Sequence, residues 1–118
     1  MGNLQKTGAL GEHYVAQYIE RSGGTIVDRN WRIKEGEVDI VAKENQLLVF
    51  VEVKTRSSIA FGDPLEAITA SKALRLQRLA LAWMSVHGLW GNEYRIDCAG
   101  VLLGKGQAVE IDYRKGVL

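Results

Sequence analysis

The sequence predicts a mixed α/β layer fold, on three observations. Apolar residues recur at helical spacing in two separate stretches, five other segments are rich in β-branched and aromatic residues, and the resulting order α-β-β-β-α-β-β sets helices at two points around one sheet. With 118 residues there is room for one core, so residues 1–118 are read as a single domain, residues 1–7 forming a flexible N-terminal segment. A composition of 47% hydrophobic and 25% charged residues is that of an ordinary globule and excludes a disordered tail or a collagen-like repeat.

The first helix is expected from Thr7 to Ser22, where Leu10, Tyr14, Val15, Tyr18 and Ile19 form one stripe before the stop signal Gly23-Gly24. TIVDRNWR at 25–32 reads as a strand and KEGE at 34–37 as a turn. VDIVAK at 38–43 and LLVFVEVKT at 47–55 follow as strands, joined by a hairpin turn at Glu44-Asn45-Gln46. Asp63, Pro64 and Glu66 form a capping-box pattern that opens the long helix, which runs through Trp83 and Val86 to Gly88 with a break expected near Thr69–Ser71. YRIDCAGVLL at 94–103 and QAVEIDY at 107–113 read as strands around the turn 104–106.

The apolar runs LLVFV and LALAWM are far shorter than the roughly 18 residues of a membrane-spanning helix. The opening residues lack the apolar core of a signal peptide, and the single cysteine, Cys98, suits a reducing compartment. No membrane partner and a cytoplasmic location are therefore expected. A net charge of +1 means that a nucleic-acid partner would be held by a local basic patch and not by the field of the whole chain.

The strand VFVEVKT carries charged side chains inside an apolar run. Side chains alternate along a strand, so Glu52 and Lys54 share one face and Val51 and Val53 the other. If the hairpin loop is Asn45-Gln46, Glu44 faces Leu47, and counting back along both strands brings Asp39 opposite Glu52. Two carboxylates meeting in an apolar setting repel each other, and Lys54 neutralises only one of them, which makes a divalent cation the natural third partner. Oxygen ligands favour Mg2+ or Mn2+ over zinc. The plain alternative is a cross-strand salt bridge of Lys54 with one acid, the other acid being exposed.

Two further residues have the same leaning. Glu12 lies at the border of the first helical stripe, close in angle to Ile19, and Lys72 lines up with Leu76, Leu79 and Trp83 at the start of the long helix. A lysine there opposes the helix dipole unless an anion sits nearby. Either side chain is equally able to snorkel past the core edge to water.

The run GEVDIVA, a short turn and then LLVFVEVKTR closely resembles the YraN family of bacterial proteins, a family related to archaeal Holliday junction resolvases within the PD-(D/E)XK nuclease superfamily. The likeness continues through GALGEHYVAQYIERSGG, RNWR at 29–32 and FGDPLEAITASKALRL, and spans roughly residues 8–90, with Val38 where the superfamily motif has proline. The resemblance implies a restriction-endonuclease-like αβββαβ core with a mixed sheet flanked by helices. It implies Glu12, Asp39, Glu52, Lys54 and Lys72 as catalytic residues. Asp39, Glu52, the Val53 carbonyl and Glu12 would hold Mg2+ or Mn2+.

The expected activity is DNA phosphodiester hydrolysis, on branched or single-stranded forms. Arg29, Arg32, Lys34 and Arg56 around the metal strands, with Arg75 and Arg78 on the polar side of the long helix, are the expected DNA contacts. The loop RSSIAFG, with Phe61 and Gly62, is expected to close over substrate or against a partner chain, and a homodimer would suit a two-fold symmetric substrate. The competing expectations are a non-catalytic nucleic-acid-binding module and a protein-interaction module on the same fold. His13, His87 and Cys98 have no metal-ligand spacing and are read as packing or surface residues.

Overall fold

The computed structural model describes residues 2–57, 63–104 and 109–118; Phe61, Gly62 and the turn residues Lys105-Gly106 lie outside them. Its elements are α1 (Gly2–Arg21), β1 (Thr25–Ile33), β2 (Gly36–Glu44), β3 (Leu47–Arg56), a short 3-10 helix (Pro64–Ala67), α2 (Ala70–Val86), β4 (Tyr94–Leu103) and β5 (Val109–Arg114). The five strands form one sheet in the order β1-β2-β3-β4-β5. Neighbours are antiparallel except β3 and β4, which are parallel. A parallel pair needs a crossover, and the 3-10 helix and α2 supply it.

Alternation along the strands divides the interior into two cores. Val49, Val51 and Val53 of β3 pack with Val15, Ala16 and Ile19 of α1. Leu48 and Phe50 pack with Leu76, Leu79, Ala80, Trp83 and Met84 of α2. The β2–β3 hairpin has the register read from the sequence, from Glu44↔Leu47 to Ile40↔Val51. Asn45 turns it with φ 54, a left-handed conformation that asparagine tolerates. By the same alternation Glu52 and Lys54 project on the side of Phe50 and α2.

Three details differ from the sequence reading. The helical backbone of α1 begins at Gly2, five residues before the expected start at Thr7. Its buried line is Val15, Ala16 and Ile19, while Leu10 and Tyr18 are 42% and 40% exposed, so the helix is rotated away from the larger apolar residues. Small side chains set this rotation: a Cβ on Gly11 would lie 2.9 Å from Thr55 Cβ, so only glycine lets α1 settle so close to β3. Tyr18 is used at the edge instead, stacked on Tyr113 with ring centres 5.2 Å apart.

The third difference concerns Asp63, which does not open a long helix. Its carboxylate accepts from the Leu65 N–H at 2.8 Å and caps only the 3-10 helix. Ile68 is extended, and Thr69 then caps α2 by accepting from the Lys72 N–H at 3.3 Å. The expected break near Thr69 is thus a complete restart of the helix.

One buried ionic cluster ties the last strands together. Asp97, with no solvent exposure, accepts from Arg95 Nε at 2.7 Å and Nη2 at 2.9 Å, from Tyr113 Oη at 2.6 Å and from the Gly116 N–H at 2.9 Å. Arg95 also reaches Glu44 Oε1 at 3.0 Å. A buried carboxylate is tolerable only with this degree of satisfaction.

Gly11→Ala is expected to destabilise the chain by about 1–3 kcal/mol in urea unfolding, through overpacking against Thr55. Gly8→Ala, where a Cβ would meet nothing within 4 Å, is expected to be neutral or to stabilise by a few tenths of a kcal/mol through helix propensity.

Candidate active site

The site lies where backbone pairing stops on both sides of one residue. The β2–β3 ladder ends at Ile40↔Val51, one step before Asp39 and Glu52. The β1–β2 ladder passes from Arg29↔Ile40 to Trp31↔Val38 without a pair at Asn30 and Asp39, and Asn30 is left-handed, with φ 51. Asp39 fills the gap with its side chain: Oδ2 accepts from the Val53 N–H at 2.8 Å. That donor is half-buried and would be costly to leave without a partner.

Around this point is a cleft of about 240 Å³ lined by Glu12, Asp39, Glu52, Lys54 and Lys72, the five residues singled out in the sequence, together with Val53, Glu37 and Arg75. Leu76 and Leu79 form its apolar wall. Four carboxylates therefore share the space with three cations. Lys54 Nζ stands 3.5 Å from Glu52 Oε1, as their spacing on one strand face requires. Glu12 reaches the cleft from α1, and its Oε1 accepts from Asn30 Nδ2 at 2.8 Å.

Crowding shows in the acidities. Burial, reinforced by the charge of Glu52 and only partly offset by the Val53 N–H, pushes the Asp39 carboxyl up to about 7. Glu52 is also raised by burial, against the opposing pull of Lys54 and Arg75. Glu12 is raised by burial as well, with the Asn30 hydrogen bond opposing and the charges of Glu37 and Glu52 adding.

These donors suit a hard divalent cation in kind: all are oxygens, and Asp39 and Glu52 are destabilised by their own charge, which an ion would compensate. Among the described residues, no three His, Cys, Asp or Glu side chains are grouped to hold an ion as they stand. The residues that could hold such an ion are those lining the cleft: Asp39, Glu52 and Val53, with Glu12 at its edge.

The expected DNA-contacting cations divide. Arg75 reaches the cleft itself, so it is not confined to the polar side of α2, and it acts electrostatically on Glu52. Arg78 lines an adjoining groove with Ile33, Glu35, Ala82, Leu79 and Arg75, the last two being shared with the cleft. Arg29 is exposed and acts on Glu12, and Lys34 is exposed in the loop between β1 and β2. Arg32 is engaged with Glu37 at 2.9 Å.

Arg56 is not brought to the cleft. It is half-buried, with Nη1 3.5 Å from the Thr55 carbonyl, because its backbone still belongs to the last paired residue of β3. His87 packs, as expected, by stacking on Trp83 with ring centres 4.0 Å apart.

Glu37 and Asn30 were not singled out in the sequence. Glu37 had a readable signal, since it stands two residues before Asp39 on the same strand. Asn30 had none in the strand pattern, because a left-handed residue inside a strand leaves no trace in alternation.

A family model described as "Uncharacterised protein family UPF0102" matches residues 11–101. The chain belongs to the UPF0102 family. This is the YraN-like family that the sequence resembles, and the matched span contains every residue lining the cleft. A UPF0102 protein of Beutenbergia cavernae is 46% identical over 110 residues, 93% of each chain. One of Leifsonia xyli is 41% identical over 118 residues, covering both chains in full, and one of Arthrobacter sp. is 46% identical over 110 residues, 93% of each.

Because Asp39 is harder to ionise in the folded chain than in the unfolded one, its charge destabilises the fold fully above pH 7, and this effect fades as pH falls toward the ordinary value of 3.8. Asp39→Asn keeps an acceptor for the Val53 N–H. In chelator-treated buffer it is expected to stabilise the chain at pH 8 by on the order of 2 kcal/mol, with the gain shrinking toward zero near pH 4, as followed by urea unfolding across pH.

Proposed function

We propose that this chain is a metal-dependent endonuclease that hydrolyses DNA phosphodiester bonds, with branched or single-stranded DNA as substrate, on a PD-(D/E)XK-type core. The observation that carries this reading is the convergence of Asp39, Glu52 and Lys54 from β2 and β3 with Glu12 from α1 and Lys72 from α2 in one cleft. A structural salt bridge alone gives no reason for acids to crowd until one of them has its carboxyl raised to about 7.

Asp39, Glu52 and the Val53 carbonyl would hold Mg2+ or Mn2+, with Glu12 supporting directly or through water. The chemistry such an ion supplies is acidification of water and neutralisation of phosphate charge. Lys54, held beside Glu52, orients the attacking water or the phosphate. Lys72 at the start of α2 and Arg75 one turn later offer positive charge to the phosphate oxygens, and the dipole of α2 adds to it. The groove running on past Arg75 to Arg78 extends the basic surface along which a strand would lie.

A purified sample is expected to cut branched or single-stranded DNA in Mg2+ or Mn2+, and to stop when chelator is added. Asp39→Asn or Glu52→Gln is expected to lower the rate by about 100-fold or more. No cleavage of any form with either ion, or unchanged cleavage by Asp39→Asn, overturns the reading. Binding of DNA that ignores both chelator and Glu52→Gln would instead favour the non-catalytic module, for which the lack of a ready three-carboxylate group among the described residues speaks. In either case Arg75→Ala and Arg78→Ala are expected each to flatten the salt dependence of DNA affinity, by about one unit of slope for every phosphate left without its cation.

A further inference from the structure

Asn30 is in an unusual position for a strand residue. It is exposed, it stands opposite Asp39 at the gap in the β1–β2 ladder, and its backbone is left-handed with φ 51. Few residue types other than glycine accept that conformation, and asparagine is one of them. Its side chain is put to a specific use. Nδ2 donates to Glu12 Oε1 at 2.8 Å and to Glu37 Oε1 at 3.0 Å, so its two protons are shared between two acids on different elements. Both partners are carboxylates and only accept, which fixes the amide with its NH2 toward them.

We propose that Asn30 is a positioning residue that acts through Glu12: its amide clamps the α1 carboxylate against the β2 carboxylate of Glu37 and holds it at the mouth of the cleft, where it supports a bound divalent cation. This rests on the reading of the cleft as a cation site. Glu12 is the one acid of the four carried by a helix and not by the sheet, so nothing in the strand register fixes its reach. Arg32, paired with Glu37 at 2.9 Å, steadies the other end of the clamp. Residues that orient a metal's ligands without touching the metal typically change its affinity by about 10–100-fold when removed.

The test separates the amide from the backbone. Asn30→Ala would strain a left-handed site, whereas Asn30→Gly accepts φ 51 and removes only the side chain. Mn2+ affinity is measured by calorimetry on the full chain, with melting temperature as the check on folding. The expected result is that Asn30→Gly melts close to the native chain and binds Mn2+ about tenfold more weakly. In a Glu12→Gln background the same substitution is expected to change Mn2+ affinity by less than about twofold, since the group it acts through is already gone.

Native-like Mn2+ affinity in Asn30→Gly overturns the positioning role while leaving the cation site standing. The same follows from a tenfold loss that persists undiminished in Glu12→Gln. A native chain that binds no Mn2+ overturns the cation site, and this inference with it.

Discussion

The structure turns on a single substitution of partners: at the level of Asp39 a side-chain carboxylate, not a backbone carbonyl, receives the Val53 N–H. A sheet interior has little tolerance for an unmatched donor, so the strands can separate at this level only if something polar takes the vacated place. Burial and the charge of Glu52 still raise the Asp39 carboxyl, and the Val53 N–H offsets only part of that.

The layers on either side make the remaining placements nearly unavoidable. Parallel pairing of β3 with β4 obliges the chain to cross over the sheet and re-enter beside the strand it left, so the first turn of α2 is brought near the end of β3 and Lys72 near Lys54. On the opposite face Gly11 lets α1 lie close upon Thr55, one residue beyond Lys54, which is why the next residue of the helix, Glu12, reaches the same opening. Elsewhere, Asp97 and its four donors hold β4, β5 and the residues after β5 together.

Much of this was legible in the chain itself. A two-residue loop and strict alternation fix a hairpin's register, so the meeting of Asp39 with Glu52 followed from counting. The placement of Lys72 followed from helical spacing in the same way. What eluded the pattern depends on contacts between elements. Rotation of α1 was decided by the small residues Gly11 and Ala16, which a reading based on large apolar side chains undervalues. The separate capping of the 3-10 helix and α2 turned on Ile68 being extended, and Asn30 was hidden because its handedness is a backbone property with no periodic signature. Charges were the least readable of all: Arg32 is bound to Glu37 and Arg56 lies against its own strand, whereas Arg75 reaches the acids.

Cys98 pairs with Glu52 across the parallel ladder, is buried, and has its thiol pushed upward by that burial, away from the reactive thiolate. Because it is the only sulfhydryl in the chain, a thiol-directed dye has one place to react, in a recess that Cys98 lines with Leu65, Ala73 and Arg114. The molecule therefore carries its own reporter of access to the face of β4 beneath the 3-10 helix and α2, one that can be read without adding any foreign label site.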